Sequence, residues 1–222
     1  MVSLEQLRVD GWALVSASVA PSALQELRDT IFAAGSAGTR CLLDLPEVRS
    51  VAVILKQELV AAELLPAASV AVQAIAFDKT PDTNWKVAWH QDLMFPFARP
   101  VTTQGYDLPS LKDGVDFARP PLPVLEEMLA VRLHLDDCGA TNGPLRICPG
   151  THTRGLIPSR ECGPRAAEDG EIACLAKEGE ALLMRPLLLH ASSQARAPSH
   201  RRVLHFVYHS GTPLPEEWHR RI

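Results

Sequence analysis

Residues 129–150 read LAVRLHLDDCGATNGPLRICPG, two short runs rich in aliphatic residues on either side of Asn142-Gly143. Along the first run Val131, Leu133 and Leu135 alternate with Arg132 and His134. That period of two belongs to an extended strand with one apolar and one polar face. Asn-Gly between two such runs predicts a hairpin, because a type I′ turn needs positive φ at both central residues. Runs of the same kind recur as SVAVQAIAF (69–77), KVAWH (86–90), ALLMRPLLLH (181–190) and RRVLHFVYH (201–209), each bounded by Gly, Pro or Asn. Short strands punctuated in this way predict a sandwich or barrel rather than a parallel sheet.

Upstream the pattern changes, and residues 1–66 read as helical. Ser3 and Gln6 have capping-box spacing. A second helix is expected from Pro21, with Leu24, Leu27 and Ile31 on one face and a stop at Gly35. A third, from Pro46, carries Val48, Val51, Ile54, Leu55 and Leu59 and must end before Pro66. Two stretches, 94–127 and 154–170, show no strand pattern and are expected to be loops, the first a lid. The 222 residues fit one domain, with the helical part at about 1–66 and a β core at about 67–210.

Composition is that of an ordinary globular chain, 46% hydrophobic and 22% charged, with net charge −4. No basic stripe points to nucleic acid, and no apolar run is long enough for a membrane span. Cys41, Cys138, Cys148, Cys162 and Cys174 form no CxxC pair, which fits free thiols in a reducing compartment. The opening residues lack the pattern of a signal peptide. A cytoplasmic, soluble protein, with neither nucleic acid nor membrane as partner, is the expectation.

His90-Gln91-Asp92 closes the KVAWH run, and in extended chain residues two apart share a side. His190 ends another aliphatic run. Two histidines and one carboxylate make a facial triad, which leaves open positions on iron(II) for a co-substrate and dioxygen. The tripeptide by itself is weak: 8 His and 26 acidic residues produce about one H-x-[D/E] match by chance, and His134-Leu135-Asp136 is a second.

The surroundings favour His90. WHQDLMFPF (89–97) resembles the metal-binding segment of the phytanoyl-CoA dioxygenase family. TNGPLRICPGTH (141–152) is similar to that family's Asn-Gly and Pro-Gly segment, and LLLHASSQARAPSHRRVLHFVYH (187–209) to its distal-histidine and arginine region. The segments come in family order over residues 68–209, and GWALV near the start also fits.

The resemblance implies a mainly β double-stranded β-helix, or jelly roll, with N-terminal helices packed outside. It implies an iron(II)- and 2-oxoglutarate-dependent dioxygenase with His90, Asp92 and His190 as metal ligands, using dioxygen to hydroxylate a small molecule and releasing succinate and CO2. By the same resemblance Arg201 grips the distal carboxylate of 2-oxoglutarate, as the planar fork of a guanidinium suits. Its neighbour Arg202 points to the opposite face and is the rival. Ser192 is a further candidate for that carboxylate, and Gln73 for the other end of the co-substrate. Asp92 stands where related halogenases carry a small residue, which favours hydroxylation. Arg132, Lys86 and Phe97 are candidate substrate contacts, with Phe95 beside Phe97 at the pocket mouth and the arginines hinting at an anionic substrate. His205 and His209 are expected to be structural. Two other classes stay open: a cupin-like isomerase or hydrolase that uses metal without 2-oxoglutarate, and a non-catalytic sensor that keeps the triad.

Overall fold

The structure, a computed structural model, describes residues 4–32 and 38–222. The capping pair that begins at Ser3 and the expected helix stop at Gly35 lie outside the described residues. In chain order the elements are α1 (Leu4–Val9), β1 (Trp12–Ser16), α2 (Pro21–Ile31), β2 (Gly38–Thr39), α3 (Pro46–Ala61), β3 (Val70–Lys79), β4 (Val87–His90) and β5 (Phe95–Phe97). There follow β6 (Asp107–Lys112), β7 (Val115–Arg119), α4 (Leu122–Glu126), β8 (Met128–His134), β9 (Leu145–Ile147) and α5 (Ser159–Asp169). The chain then forms β10 (Ile172–Cys174), β11 (Glu180–Met184), β12 (His190–Ser192) and β13 (Arg201–His209).

Two antiparallel sheets make the barrel. The major sheet runs β1-β11-β8-β13-β3-β2 and the minor sheet β10-β9-β12-β4. Strand alternation sorts the major sheet into two cores. Leu129, Val131 and Leu133 of β8 and Leu204, Phe206 and Tyr208 of β13 pack outward against Leu24 and Leu27 of α2 and Val51 and Leu55 of α3. Each such side chain, fully buried, stabilises the fold by roughly 1.5–3 kcal/mol. The Tyr208 hydroxyl is also buried there and donates to the Ala52 carbonyl at 2.8 Å. Inward, Leu182, Met184 and Val207 meet Leu145 and Ile147 of the minor sheet. The architecture is the mainly β jelly roll with helices outside that the sequence predicts. Helices α2 and α3 both start on proline at the first turn, where its missing N–H costs nothing.

Four local expectations are overturned. Trp12–Ser16, inside the stretch read as helical, is a strand paired with Met184–Glu180 of β11. Both of its faces are apolar, Trp12 and Leu14 against the inner core and Ala13 against the outer one, which hides the period of two. Gly11, at φ +78°, breaks the chain away from α1 first. Asn142-Gly143 forms no hairpin: β8 pairs with β11 and β13, and β9 with β10 and β12. The turn instead carries the chain from one sheet to the other. Among the described residues Gly143 has positive φ (+62°) and Asn142 does not.

The stretch 94–127 is no open loop. It holds a three-stranded antiparallel sheet, β5-β7-β6, and the short helix α4. Within 154–170 lies α5, disguised in the sequence by Gly163-Pro164 near its middle.

Candidate metal centre

The site forms where β4 ends and β12 begins. His90 and His190 are direct partners across these antiparallel strands, with ring centroids 4.1 Å apart. A strand pairing thus does for the two imidazoles what no local motif could, bringing residues a hundred positions apart side by side. Each ring is then oriented by its own backbone. His90 Nδ1 donates to the Ala88 carbonyl at 2.8 Å and His190 Nδ1 to the Leu188 carbonyl at 2.9 Å. A carbonyl only accepts, so both protons sit on Nδ1 and both Nε2 lone pairs are available to a cation.

Asp92 completes the set. Its Oδ1 lies 3.6 Å from His90 Nε2 and its Oδ2 3.6 Å from His190 Nε2. One ligand atom from each of the three residues lies within 4.8 Å of the others. Burial works to raise the Asp92 carboxyl, but the two histidines outweigh it and hold the group well below the usual carboxylate range. Burial likewise pushes His190 down, whereas on His90 the adjacent Asp92 carboxylate overcomes it and raises the imidazole. In the neutral form, with the ring proton on Nδ1, the two imidazoles join the carboxylate on one side of a cavity as the donor set of a 2-His-1-carboxylate iron site, and the residues fit that metal.

Gln91, between the ligands, was not singled out in the sequence, yet it holds their geometry. Its amide donates to the Gly155 carbonyl at 2.8 Å and the Leu187 carbonyl at 2.7 Å, and accepts from the Ile157 N–H at 2.8 Å. The Asp92 N–H donates to the Pro186 carbonyl at 2.9 Å. These bonds turn the chain out of the β4 ladder so that Asp92 faces back toward both histidines.

The three side chains open into a cavity of about 130 Å³. Phe77, Trp85, Met94 and Phe95 supply apolar walls, and Gln73, Ser192, Arg201, Arg132 and His205 the polar ones. Arg201 is 3% exposed. Its Nη1 donates to the Gly143 carbonyl, while its Nε has no protein partner, and among the described residues no carboxylate forms an ion pair with it. Burial lowers its guanidinium from the ordinary value. An unpaired buried guanidinium costs several kcal/mol, and this one lines the cavity. Arg202 takes the other face and pairs with Asp136 through two bonds of 2.8 and 2.7 Å. The second H-x-D therefore serves that ion pair, and His134 stays buried outside the cavity, pushed down to about 3 by burial and the charge of Arg132.

Lys79, also missed in the sequence, is fully buried beside Arg201, its register partner on β3. Its Nζ donates to Ser192 Oγ at 3.1 Å and to the Ser193 carbonyl. Burial and the charge of Arg201 pull it down to about 8. The Gln73 side chain lines the cavity with an unpartnered Oε1.

Two expected substrate contacts are misplaced and one structural residue is promoted. Lys86 lies in a separate groove beside α5 with Arg146, which is paired with Glu171 at 2.8 Å. It is kept from the cavity because its strand neighbour Val87 takes the inward position. Phe97 is 1% exposed and stacks on Trp218 at 4.8 Å; Phe95, two residues earlier, is the one at the cavity wall. His205 lines the cavity with Nε2 3.7 Å from Asp92 Oδ2, whereas His209 packs near Trp218 at 5.5 Å.

No curated protein matches the chain. Among solved structures, the non-haem α-ketoglutarate-dependent carbocyclase SnoK from nogalamycin biosynthesis superposes with TM-score 0.69 at 13% identity, covering 93% of this chain and 82% of its own. AviO1 from Streptomyces viridochromogenes Tue57 gives 0.65 at 20% identity and 96% of each chain. HygX from Streptomyces hygroscopicus with iron bound gives 0.61 at 15% identity, over 96% of this chain and 88% of that one. These likenesses establish a shared fold. No helix is long and apolar enough to cross a membrane, among the described residues. The profile of phytanoyl-CoA dioxygenase (PhyH) matches residues 7–203, nearly the whole β-helix together with its N-terminal helices, and the chain belongs to that family of iron(II)- and 2-oxoglutarate-dependent oxygenases.

Proposed function

We propose that this enzyme hydroxylates a small, anionic molecule, with His90, Asp92 and His190 as the iron ligands and 2-oxoglutarate anchored by Arg201. The observation that carries this reading is the pairing of a ready donor set with a buried guanidinium that lacks an acid. Bound there, iron(II) with 2-oxoglutarate and dioxygen supplies the oxidation of a substrate C–H bond, coupled to decarboxylation of the co-substrate to succinate and CO2.

The chain's own residues do the positioning. The Nε2 atoms of His90 and His190 and one Asp92 oxygen would hold the iron, with coordination positions left for the co-substrate and dioxygen. Arg201 fixes the distal carboxylate, and Ser192, whose oxygen already accepts from Lys79, turns its hydroxyl proton toward the same group. Gln73 offers its amide to the other end of the co-substrate. Phe77, Trp85 and Phe95 exclude water from the reacting centre. With Arg201 neutralised by the co-substrate, Lys79 and Arg132 leave the interior short of negative charge, which favours an anionic substrate.

Anaerobic addition of iron(II) and 2-oxoglutarate tests the assignment. A weak visible charge-transfer band should appear, and succinate should form slowly on admitting air. A folded, iron-loaded protein that gives neither would refute it.

A further inference from the structure

The cavity holds a third imidazole that the ligand set does not use. His205 is 3% exposed, on the inner face of β13, and its Nε2 lies 3.7 Å from Asp92 Oδ2. A histidine so placed has two possible roles, a further metal ligand or a donor to the ligating carboxylate. Arg132 decides between them. Its Nη1 is 3.2 Å from His205 Nδ1, across the register pair that joins β8 to β13. A guanidinium has five N–H groups and no acceptor, so this contact requires the lone pair of His205 to be on Nδ1. The ring proton is then on Nε2, aimed at Asp92, and Nε2 has no lone pair to offer a metal. Phe77 packs against both groups, with the Arg132 guanidinium 5.4 Å above its ring and the His205 ring 6.3 Å away edge-on. The arginine is 7% exposed, and this stack leaves it little freedom to release the imidazole.

We infer that Arg132 and His205 act as a positioning pair: the arginine locks the imidazole in the Nε2–H form, and that proton holds one oxygen of Asp92 while the other faces the metal. The separation of 3.7 Å is longer than a hydrogen bond and closes when a cation draws the ligands together. The pair has two effects. It orients the carboxylate, as outer-shell donors do in many metal sites. It also denies His205 a coordination position that the co-substrate and dioxygen need. The inference rests on His90, Asp92 and His190 being the ligands, and it gives Arg132 a task other than substrate contact.

The test uses the full chain. Iron(II) affinity is measured anaerobically by calorimetry, and coordinated nitrogens are counted by electron paramagnetic resonance of the copper(II)-loaded protein. His205→Phe should bind iron(II) about 10–100-fold more weakly while the count stays at two. His205→Gln, which restores an N–H donor, should recover most of the loss. Arg132→Met should weaken binding as His205→Phe does, with the double variant no weaker than the worse single one. Unchanged affinity in folded His205→Phe, a drop of one nitrogen on replacing His205, or fully additive losses would each overturn the pair. If His205→Phe does not fold, as judged by circular dichroism, His205→Leu compared with His205→Gln decides the matter. Should His90→Ala or His190→Ala keep two nitrogens, the ligand assignment itself has failed, a result distinct from failure of the pair.

Discussion

The chain contains the same tripeptide pattern twice, and the two copies end up doing opposite things. At 90–92 the strand stops at the histidine, and Gln91 spends its whole side-chain amide on the Gly155, Ile157 and Leu187 backbone, so that histidine and aspartate face one point. At 134–136 the strand likewise ends at the histidine, but the aspartate turns outward to Arg202, with the Arg28 Nε 3.7 Å away. The residue between is Leu135, buried in the outer core, where it has no amide to bend the chain. A metal motif is therefore a property of the backbone path and its partners rather than of two side chains two apart.

The sharpest way to break this contrast is to remove one imidazole from each copy. His90→Ala should weaken iron(II) binding by more than about 100-fold, beyond any outer-shell effect, whereas His134→Ala should leave it unchanged. Calorimetric titration of both variants reads the difference directly; equal losses would erase the distinction. The adjacent arginines extend the comparison. Arg201→Ala should raise the apparent KM for 2-oxoglutarate by roughly 100-fold, the loss of about 3 kcal/mol of charge-assisted bonding, with metal affinity intact. Arg202→Ala should leave that KM alone and lower unfolding stability by about 1–2 kcal/mol through the half-buried Asp136 pair, as measured in urea.

Gln91→Ala tests the bend itself. It strips two carbonyls and one N–H of their partners and should cost about 2–4 kcal/mol in a denaturant titration, together with about tenfold in iron(II) affinity. The smallest effect concerns Lys79. Its ammonium is charged below about pH 8 and attracts a dianion there, so 2-oxoglutarate affinity should fall a few-fold as pH rises through that value. Lys79→Met should flatten the profile, measured by anaerobic titration at fixed iron.

Much of this was legible in the sequence, for identifiable reasons. Strand alternation separated Arg201 from Arg202, and the run that ends in His90 marked β4, whereas the run 181–190 covers β11 and a turn, with β12 beginning only at His190. What stayed hidden was of two kinds. Strands apolar on both faces, such as Trp12–Ser16, carry no period, and in the small sheet of 94–127 β5 is only three residues long and β6 is largely exposed. Residues whose work is done on distant backbone, such as Gln91 and Lys79, look like ordinary polar positions until the chain is folded. His205 belongs with them: only the register of β13 against β8 sets it beside Arg132.

Gly143 has a consequence that reaches past its turn. Its carbonyl receives the Arg201 guanidinium, and a β-carbon added there would lie 2.8 Å from the Ser193 carbonyl and 3.1 Å from the Ala195 nitrogen. The strap from 192 to 195 that crowds it also carries the Ser192 and Ser193 acceptors of Lys79. An atom-sized intrusion at a position with no side chain would thus disturb the partners of both buried cations, Arg201 and Lys79, at once. One codon can therefore reshape this end of the chamber without replacing any side chain that lines it.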